Sequence, residues 1–598
     1  MNVVDDFPHA IREIEHTWIP MSDGCRLAAR IWLPVTAERS PVPAVIEYIP
    51  YGKRIGTRDR DEAMHRWFAG HGIAALRIDL RGSGESEGVL HDEYLPEEQT
   101  DGIQAIRWVA AQRWCTGAVG LIGKSWGGFN GLQIAARRPP ELRGIVTVCS
   151  TDDRYADDVH YMGGCLLNDN LWWGATFFQL VVQPPDPELV GDDWRAMWLG
   201  RLEAAEPHPL RWLEHPLRDA YWKQGSVCED YGAVACPVFA VGGWADGYKN
   251  AIPRLLAGLR VPCRALIGPW GHAYPHDAHP GPSIGFLQEV LQWWRSCLGE
   301  GNGRDLTQGR AGETEPRYRV WMPESVPAGF RGEDRPGRWV AETSWPSPRI
   351  ANRVFHLAPE QLGDTIALAR LVIATPQTAG RAMGSWLVAG LQDQRENDAH
   401  SLCFDSEPLA DRLEVLGAPE VRVVVASDRP VAFLVARLCD VSPDGSSTRV
   451  SYGVINLTHR AGHETSQPLE PGHPVEVTLR LNDVAHAFPP GHRVRLALSN
   501  ACWPLIWPSP EPVRLTVFTE RSTFSLPVRT PDPSDADLPA IDPPEQARSS
   551  EWIPLTKGEY DRKVETDPLS HDVVTRTRSV PRTSGWWIVT IESSTTCS

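Results

Sequence analysis

Ser125, Asp246 and His272 have the residue types and the chain order that nucleophilic catalysis requires. A serine hydroxyl attacks a carbonyl carbon when a histidine removes its proton, and a carboxylate orients the histidine and stabilises its charged form. Where such a triad lies on a doubly wound sheet, its members follow one another as serine, acid and histidine. The sequence therefore predicts a serine nucleophile that works through an acyl-enzyme.

Two Gly-x-Ser-x-Gly strings occur, one at 84–88 and one at 123–127. The second follows the apolar run V-G-L-I and precedes a helical pattern that Pro139 ends, whereas the first continues into an acidic, irregular segment. A nucleophile at a sharp turn needs a strand before it and a helix after it, and small neighbours let the two approach. This context predicts that Ser125 is the nucleophile and that Ser86 is a loop serine.

The candidate acid and base each come just after a predicted strand. Asp246 ends V-F-A-V-G-G-W-A-D, and His272 ends R-A-L-I-G-P-W-G-H. Side chains that follow parallel strands meet at the carboxyl edge of the sheet, where sites form. His276 and His279 compete for the role of base but lie further along the loop. The alternative is that Asp246 only starts an Asp-Gly turn and that His272 is an exposed loop histidine.

A tetrahedral intermediate also needs hydrogen-bond donors for its negatively charged oxygen. The backbone N–H of Trp126, directly after the nucleophile, is the first expected donor. The second is expected from the loop Ile49–Arg54, where the phenol of Tyr51 could donate. Alternatively, Tyr51 only packs under the turn.

The surrounding pattern predicts an α/β domain. Residues 13–33 predict a hairpin around Ser22-Asp23-Gly24, and stretches with helical spacing occur at 97–112, 126–137 and 284–298. Strands that alternate with helices form a mostly parallel sheet covered on both faces. The predicted strands are Val42–Ile49, Ile73–Ile78, Val119–Ile122, Ile145–Val148, Val238–Val241 and Cys263–Ile267.

The alternation stops between 151 and 230, a Trp- and Asp-rich stretch of helical candidates that predicts a cap inserted into the α/β domain. The expected domains are therefore 1–150 with 231–300 for the α/β part, 151–230 for the cap, a Gly-rich linker at 301–316, and an all-β sandwich at 317–598. Within the last region, 527–549 is rich in Pro and Asp and predicts an exposed connector, and Trp586–Ile591 is a final strand candidate.

Composition excludes several classes of protein. The chain has 598 residues with a net charge of −17, so binding to nucleic acid or to anionic lipid is not expected. It has no apolar run of about 18 residues, and its start lacks the pattern of a secretory signal. The 12 cysteines form no C-x-x-C pair, which argues against a zinc site and for free thiols. We expect no metal, no cofactor and a cytoplasmic location.

These motifs together resemble the cocaine esterase/NonD hydrolases, which share a fold with X-Pro dipeptidyl-peptidases, glutaryl acylases and α-amino acid ester hydrolases. The matching strings are M-S-D-G-C-R-L-A-A, P-Y-G-K-R, D-L-R-G-S-G-E-S-E-G, G-K-S-W-G-G, G-W-A-D-G-Y, G-P-W-G-H and P-G-H-R-V-R-L-A-L-S-N. The resemblance implies an α/β-hydrolase domain, a helical cap after the sixth strand and a carboxyl-terminal jelly roll. It also implies the triad Ser125, Asp246 and His272, the oxyanion donors Tyr51 and Trp126, and an aromatic, Tyr248, bordering the acyl pocket.

Aromatic residues of the predicted cap, Trp172 and Trp173 among them, would suit a bulky apolar acyl group. The alternative is that they form the core of the cap. The acidic segment Asp152–Asp158 is either a site for a substrate amine or a helix start whose acids favour the dipole.

The leading function is a serine hydrolase that cleaves carboxylic esters or small amides without a cofactor. The alternative is an X-Pro dipeptidyl-peptidase that needs a free substrate amine. A carbohydrate-binding module without catalysis is a remote alternative, because the triad looks complete, and an acyltransferase would use the same residues. A small-molecule substrate is the expected partner, and a homodimer is plausible.

Overall fold

The structure is a computed structural model, and its described residues are 1–299, 317–387, 392–550, 559–567, 569–570, 572–580 and 591–597. The predicted linker at 301–316 lies outside the described residues, as does all of the strand candidate Trp586–Ile591 except Ile591.

The first half of the chain builds a large, mostly parallel sheet. The strands up to residue 342 are β1 (Asn2–Val4), β2 (Ile11–Pro20), β3 (Arg26–Pro34), β4 (Val42–Ile49), β5 (Ala74–Asp79), β6 (Cys115–Lys124), β7 (Leu142–Val148), β8 (Tyr161–Met162), β9 (Cys165–Leu166), β10 (Val238–Gly243), β11 (Cys263–Gly268), β12 (Tyr318–Pro323) and β13 (Gly337–Glu342). Of these, β1, β8 and β9 lie outside the large sheet. The sheet order is β13-β12-β11-β10-β7-β6-β4-β5-β3-β2. The antiparallel pairing of β2 with β3 confirms the predicted hairpin.

Helices cover both faces of this sheet, as its apolar strands predict. The chain contains α1 (Arg58–Gly70), α2 (Pro96–Ala110), α3 (Trp126–Ala136), α4 (Asp169–Val181), α5 (Pro187–Val190), α6 (Trp194–Ala204), α7 (His208–Leu213), α8 (Ala220–Lys223), α9 (Ala251–Gly258), α10 (Phe286–Leu298) and α11 (Arg395–Asp398). Apolar residues of α2 and α3 belong to one buried cluster, and those of α1 and α10 to another. The α/β class is confirmed.

A helical cap interrupts the sheet between β7 and β10, where the sequence predicts one, and it contains α4 to α8. The buried guanidinium of Arg201 in α6 donates to the backbone oxygens of Gly84 (3.0 Å) and Ser86 (2.7 Å). The cap is therefore tied to the loop that carries the first Gly-x-Ser-x-Gly string.

Apart from the short helix α11, the described part of the second half is built from β-strands and forms a sandwich with its own apolar core. Its strands are β14 (Ile350–Ala358), β15 (Gln361–Gly363), β16 (Arg370–Ile373), β17 (Leu402–Asp405), β18 (Leu413–Gly417), β19 (Glu420–Ser427), β20 (Phe433–Val441), β21 (Ser447–Asn456), β22 (Val475–Arg480), β23 (Val484–Phe488), β24 (Arg493–Ser499), β25 (Leu515–Arg529), β26 (Glu545–Ala547), β27 (Glu559–Thr566), β28 (Val573–Val580) and β29 (Ile591–Cys597). The β-sandwich is confirmed, while its finer description as a jelly roll stays a prediction.

The two halves are joined by more than the linker. β12 and β13 follow residue 316 but extend the first sheet, so that sheet crosses the predicted domain boundary. β26 pairs in parallel with β1, and Ala547 is fully buried. The expectation of an exposed connector at 527–549 is therefore wrong at both ends, because 527–529 belong to β25, where Arg529 is buried, and Glu545–Ala547 form a sheet with β1. No described helix has the length and the apolar character that crossing a bilayer requires.

Candidate active site

Ser125 lies at a strained turn between β6 and α3. Its backbone φ is +58°, a left-handed conformation that costs a non-glycine residue free energy and recurs at functional sites. Its N–H donates to the carbonyl oxygen of Val148 at 2.9 Å, which holds the turn against β7. Only glycine fits at position 123, because a Cβ there would lie 2.3 Å from the carbonyl carbon of Gly127. The two glycines thus let strand and helix meet at Ser125, as the motif predicts.

Ser86, in the other string, is fully buried and serves the loop. Its Oγ donates to the carbonyl oxygen of Asp79 (2.7 Å) and accepts from the N–H of Ala28 (2.8 Å). Both hydrogen bonds connect the loop to neighbouring strands. Ser86 is placed as a structural serine, in agreement with the prediction.

Asp246 and His272 meet at the carboxyl edge of the sheet, after β10 and β11. Nδ1 of His272 lies 3.1 Å from Oδ1 of Asp246. Asp246 is fully buried, whereas the His272 side chain keeps 20% of its exposure. Burial opposes ionisation of Asp246, but the His272 ring and its hydrogen bond more than offset this and lower the pKa of Asp246 below its ordinary value.

Cys149 is a third member of this cluster that the sequence analysis did not single out. The residue directly follows β7, is buried, and has a φ of +48°. Its thiol lies against Asp246, and ligand atoms of Cys149, Asp246 and His272 fall within 4.8 Å of one another. Burial and the adjacent carboxylate raise the pKa of Cys149 well above its usual value, so the thiol stays protonated and can donate to Asp246.

The other candidate histidines lie elsewhere. His276 is buried beside Phe286, with parallel rings 5.9 Å apart, and burial lowers its pKa to about 3. His279 is exposed. Neither has a hydrogen bond to Asp246 in the described residues.

Tyr51 lies beside the turn at Ser125, two residues after the end of β4. Burial raises the pKa of its phenol to about 12, and hydrogen bonds with the Ser125 side chain and the Trp126 backbone lower it in part. The phenol and the Trp126 N–H thus share one small region next to Ser125. The hydroxyl stays protonated at neutral pH and can donate a hydrogen bond.

The side chain of Trp126 points away from this region into a buried aromatic cluster. Its indole N–H donates to Glu98, and its ring lies 4.9 Å from Tyr94 and 6.2 Å from Trp173. Burial raises the pKa of Glu98 to about 8, so this carboxyl is protonated at neutral pH. No local pattern in the sequence points to Glu98, because only the fold brings α2 under the turn at Ser125.

Trp173 and Trp172 differ in their surroundings. Trp173 stacks on Phe177 at 6.0 Å, and its indole N–H donates to Glu93 at 3.0 Å. Trp172 is half-buried, and its indole has no ring pair or hydrogen bond within the described part of the chain. Consecutive helix residues point about 100° apart, so the two indoles cannot share one face.

Tyr248 follows the acid loop and lies close to the base. Its ring centroid is 5.6 Å from that of His272, and its hydroxyl donates to Asp158 Oδ1 at 2.9 Å. Trp386 of the sandwich packs edge-on against Tyr248 at 5.0 Å and would clash with any Cβ at Gly247. Sequence reasoning missed Trp386, because nothing local signals a contact across more than a hundred residues.

The acidic segment 152–158 forms turns rather than a helix, so its interpretation as a helix start is wrong. Asp152 and Asp157 both form ion pairs with Arg254 of α9. Asp153 forms an ion pair with Arg218 at 3.2 Å and accepts two backbone N–H groups. Only Asp158 lacks an arginine partner among the described residues; burial raises its pKa to about 6.

Within the described residues, three clusters combine acids with histidine or cysteine, namely Cys149-Asp246-His272, Glu47-Asp61-His65 and Glu93-Asp158-His160. Each already has internal partners. Glu47 pairs with Arg60 at 2.7 Å, and Glu93 lies 2.8 Å from Nε2 of His160. Their charges are compensated by protein groups, and we assign no metal to them.

Two family models and a characterised protein are similar to this chain. Residues 23–274 match the model of the X-Pro dipeptidyl-peptidase (S15 family), and residues 310–536 match that of the X-Pro dipeptidyl-peptidase C-terminal non-catalytic domain. Cocaine esterase of Rhodococcus sp. (strain MB1 Bresler) is 26% identical over 537 residues, covering 81% of this chain and 90% of that protein.

Solved structures give the same fold. A CocE/NonD family hydrolase from Staphylococcus aureus superposes with a TM-score of 0.68 at 16% identity, covering 87% of this chain and 94% of that one. An α-amino acid ester hydrolase superposes with a TM-score of 0.66 at 21% identity, covering 88% of this chain and 98% of the other. The likeness extends over the catalytic and the β-sandwich regions together.

Proposed function

We propose that this chain, which belongs to the X-Pro dipeptidyl-peptidase (S15) family of serine hydrolases, cleaves carboxylic esters through an acyl-enzyme on Ser125. In this mechanism His272 takes the Ser125 proton through Nε2 and then passes it to the leaving group. Asp246 orients the imidazole and stabilises its charged form. The Tyr51 phenol and the Trp126 N–H stabilise the developing oxyanion. A water molecule, activated by His272, releases the acid.

The observation that carries this proposal is the hydrogen bond between Nδ1 of His272 and the buried Asp246. It fixes the tautomer that leaves Nε2 free to accept a proton. Together with the strained turn at Ser125, it supports the roles that the sequence predicts. The site needs no cofactor for these steps.

The charges in the cap favour an ester without a free amine over a dipeptide. A site for a substrate ammonium needs carboxylates that no protein cation already neutralises. Asp152 and Asp157 are paired with Arg254, and Asp153 is paired with Arg218. Asp158 has no arginine partner among the described residues, but it lies 4.0 Å from Nε2 of His160 and accepts a hydrogen bond from Tyr248, and its raised pKa makes it a weak anion near neutral pH. An apolar acyl group, bordered by Tyr248 and Trp173, fits these surroundings better.

The decisive comparison uses two chromogenic substrates, a short-chain p-nitrophenyl ester and a free-amine Xaa-Pro p-nitroanilide, with Ser125→Ala as the blank. We expect kcat/KM for the ester to exceed that for the anilide by at least about a hundredfold. N-acetylation of the anilide should then make little difference.

Efficient anilide turnover that N-acetylation abolishes would instead support the dipeptidyl-peptidase alternative. In that case Asp158→Asn should weaken binding of the free-amine substrate selectively. Turnover of neither substrate above the Ser125→Ala blank would contradict the ester proposal.

A further inference from the structure

A cavity lies beside the loop that carries Asp246, between the hydrolase sheet and the β-sandwich. Its volume is about 410 Å³, within the range of small-ligand sites. Trp244 and Lys249 line it from the acid loop, and Arg449 and Tyr452 line it from β21. Arg335 and His486 complete the polar part of the wall.

The charged side chains of this wall are all positive among the described residues. Lys249, Arg335 and Arg449 are only 7 to 8% exposed, and none of them forms a salt bridge with any described residue. The described lining contains no aspartate or glutamate. In a chain whose net charge is −17, a cavity whose charged lining residues are all cations has a local charge opposite in sign to that of the whole chain.

Among the described residues, no carboxylate without a partner of its own lies within reach of Arg335. Its Nη2 donates to the backbone oxygen of Glu324 at 2.9 Å, and its buried Nη1 has no hydrogen-bond partner. The nearby carboxylate of Asp440 is bound by His486 (2.9 Å) and His492 (2.7 Å). That of Glu324 is paired with Arg412 at 2.6 Å.

The carboxylates near Lys249 are also engaged. Asp246 binds His272, Asp157 pairs with Arg254, and Asp483 pairs with Arg480. The Lys249 ammonium donates instead to the backbone oxygen of Asp246 at 2.8 Å.

Arg449 is more isolated still. Its guanidinium donates to the backbone oxygen of Met383 at 2.6 Å and lies 4.8 Å from the centre of the Tyr452 ring. No carboxylate is within salt-bridge distance of it in the described residues.

Three unpaired cations in one buried wall are costly, because each has lost water without gaining an anion. Burial lowers the pKa of Lys249 to about 8 and that of Arg335 to about 10. It also lowers the pKa of Arg449. A bound anion would remove this cost, and Arg335 Nη1 supplies a donor that is not otherwise used.

We propose that this cavity binds a small oxyanion, a phosphate or carboxylate group of a metabolite-sized molecule, through Arg335, Arg449 and Lys249. Guanidinium groups match the geometry of both anions and form strong, charge-assisted hydrogen bonds with them. Ser125, Tyr51 and His272 are not among the lining residues, so we expect that the ligand does not compete with the ester.

The test is isothermal titration of the full chain with inorganic phosphate and, separately, with citrate. Sodium chloride at matched ionic strength is the blank. We expect saturable one-site binding of at least one of the two, and the comparison tells which anion fits. The Ser125→Ala variant should bind it as the wild type does, so the outcome is independent of the proposed ester hydrolysis.

Arg335→Gln and Arg449→Gln should each weaken binding by about tenfold to a hundredfold. The matched control is Arg422→Gln, an exposed arginine on β19 whose loss should change nothing. Should either buried variant fail to fold, Arg335→Lys is the replacement. It keeps the positive charge but loses the paired N–H donors of the guanidinium, so it should still bind the anion more weakly than the wild type.

Hydrogen exchange of the wild type gives an answer without any variant. The anion should slow exchange in peptides covering 331–335 and 448–452 and leave those around Ser125 unchanged. The proposal is overturned if neither phosphate nor citrate binds saturably. It is also overturned if Arg335→Gln and Arg449→Gln, both folded, bind as tightly as Arg422→Gln.

Discussion

Nδ1 of His272 lies 3.1 Å from Oδ1 of Asp246, joining the loops after two neighbouring strands. Asp246 is fully buried and His272 is partly exposed, so the carboxylate is kept from solvent while the imidazole ring is accessible to a substrate. The Cys149 thiol lies against the same carboxylate. We infer that the pair orients His272 toward Ser125.

Asp246→Asn tests this inference. The amide would favour the wrong imidazole tautomer without changing the shape of the loop, so kcat should fall about 10⁴-fold with little change in KM. Steady-state kinetics on the p-nitrophenyl ester measures both. Asp277→Asn, an exposed acid of the same loop, is the matched control and should keep wild-type activity. A loss of less than about tenfold in Asp246→Asn would argue against the role of this acid.

Tyr51→Phe should lower kcat about 10²- to 10³-fold, because it removes one donor to the oxyanion and keeps the ring. The pKa of about 12 means that the phenol keeps its proton through pH 10, so activity should not fall between pH 8 and 10 through Tyr51 ionisation. A pH series of kcat checks this. Tyr155→Phe in the cap core, whose hydroxyl bonds Pro216, is the control. Equal activity in Tyr51→Phe and wild type would leave Tyr51 as a packing residue only.

Glu98 predicts a particular dependence of stability on pH. Its folded pKa of about 8 lies above the value of 4.5 for an unfolded glutamate, so the folded state binds more protons between these values. Its contribution to the free energy of unfolding is therefore full below pH 4.5 and is lost as pH rises toward 8.

Glu98→Gln keeps the acceptor for the Trp126 indole and removes the titration. Its Tm relative to that of the wild type should therefore rise between pH 5 and 9, which thermal unfolding at several pH values measures. Glu97→Gln is the control, because Glu97 is the residue next to Glu98 and its carboxylate is exposed to solvent. Parallel Tm curves for wild type and Glu98→Gln would contradict the raised pKa.

The turn at Ser125 was predictable because its cause is local. A strand, two glycines and a helix pattern are all visible within about twenty residues, and they separate Ser125 from Ser86. The strands before Asp246 and His272 are similarly local, and the parallel order of the sheet then brings their ends together.

The acids of the cap and the walls of the site were not predictable, because their partners come from distant segments. Arg254, which pairs with Asp152 and Asp157, lies about a hundred residues away, and no pattern links them. The helical spacing likewise could not tell that Trp173, rather than Trp172, packs near Trp126. Trp386 reaches Tyr248 only through the docking of the sandwich.

The most direct test of the proposed mechanism compares Ser125→Ala with Ser86→Ala on the same p-nitrophenyl ester. Both serines occupy a Gly-x-Ser-x-Gly string, so the pair is matched in local sequence. We predict that Ser125→Ala lowers kcat about 10⁴- to 10⁶-fold without loss of stability. Ser86→Ala should lower Tm, because the Ala28 N–H loses its acceptor, but it should keep kcat. Wild-type turnover by a folded Ser125→Ala protein would contradict the account.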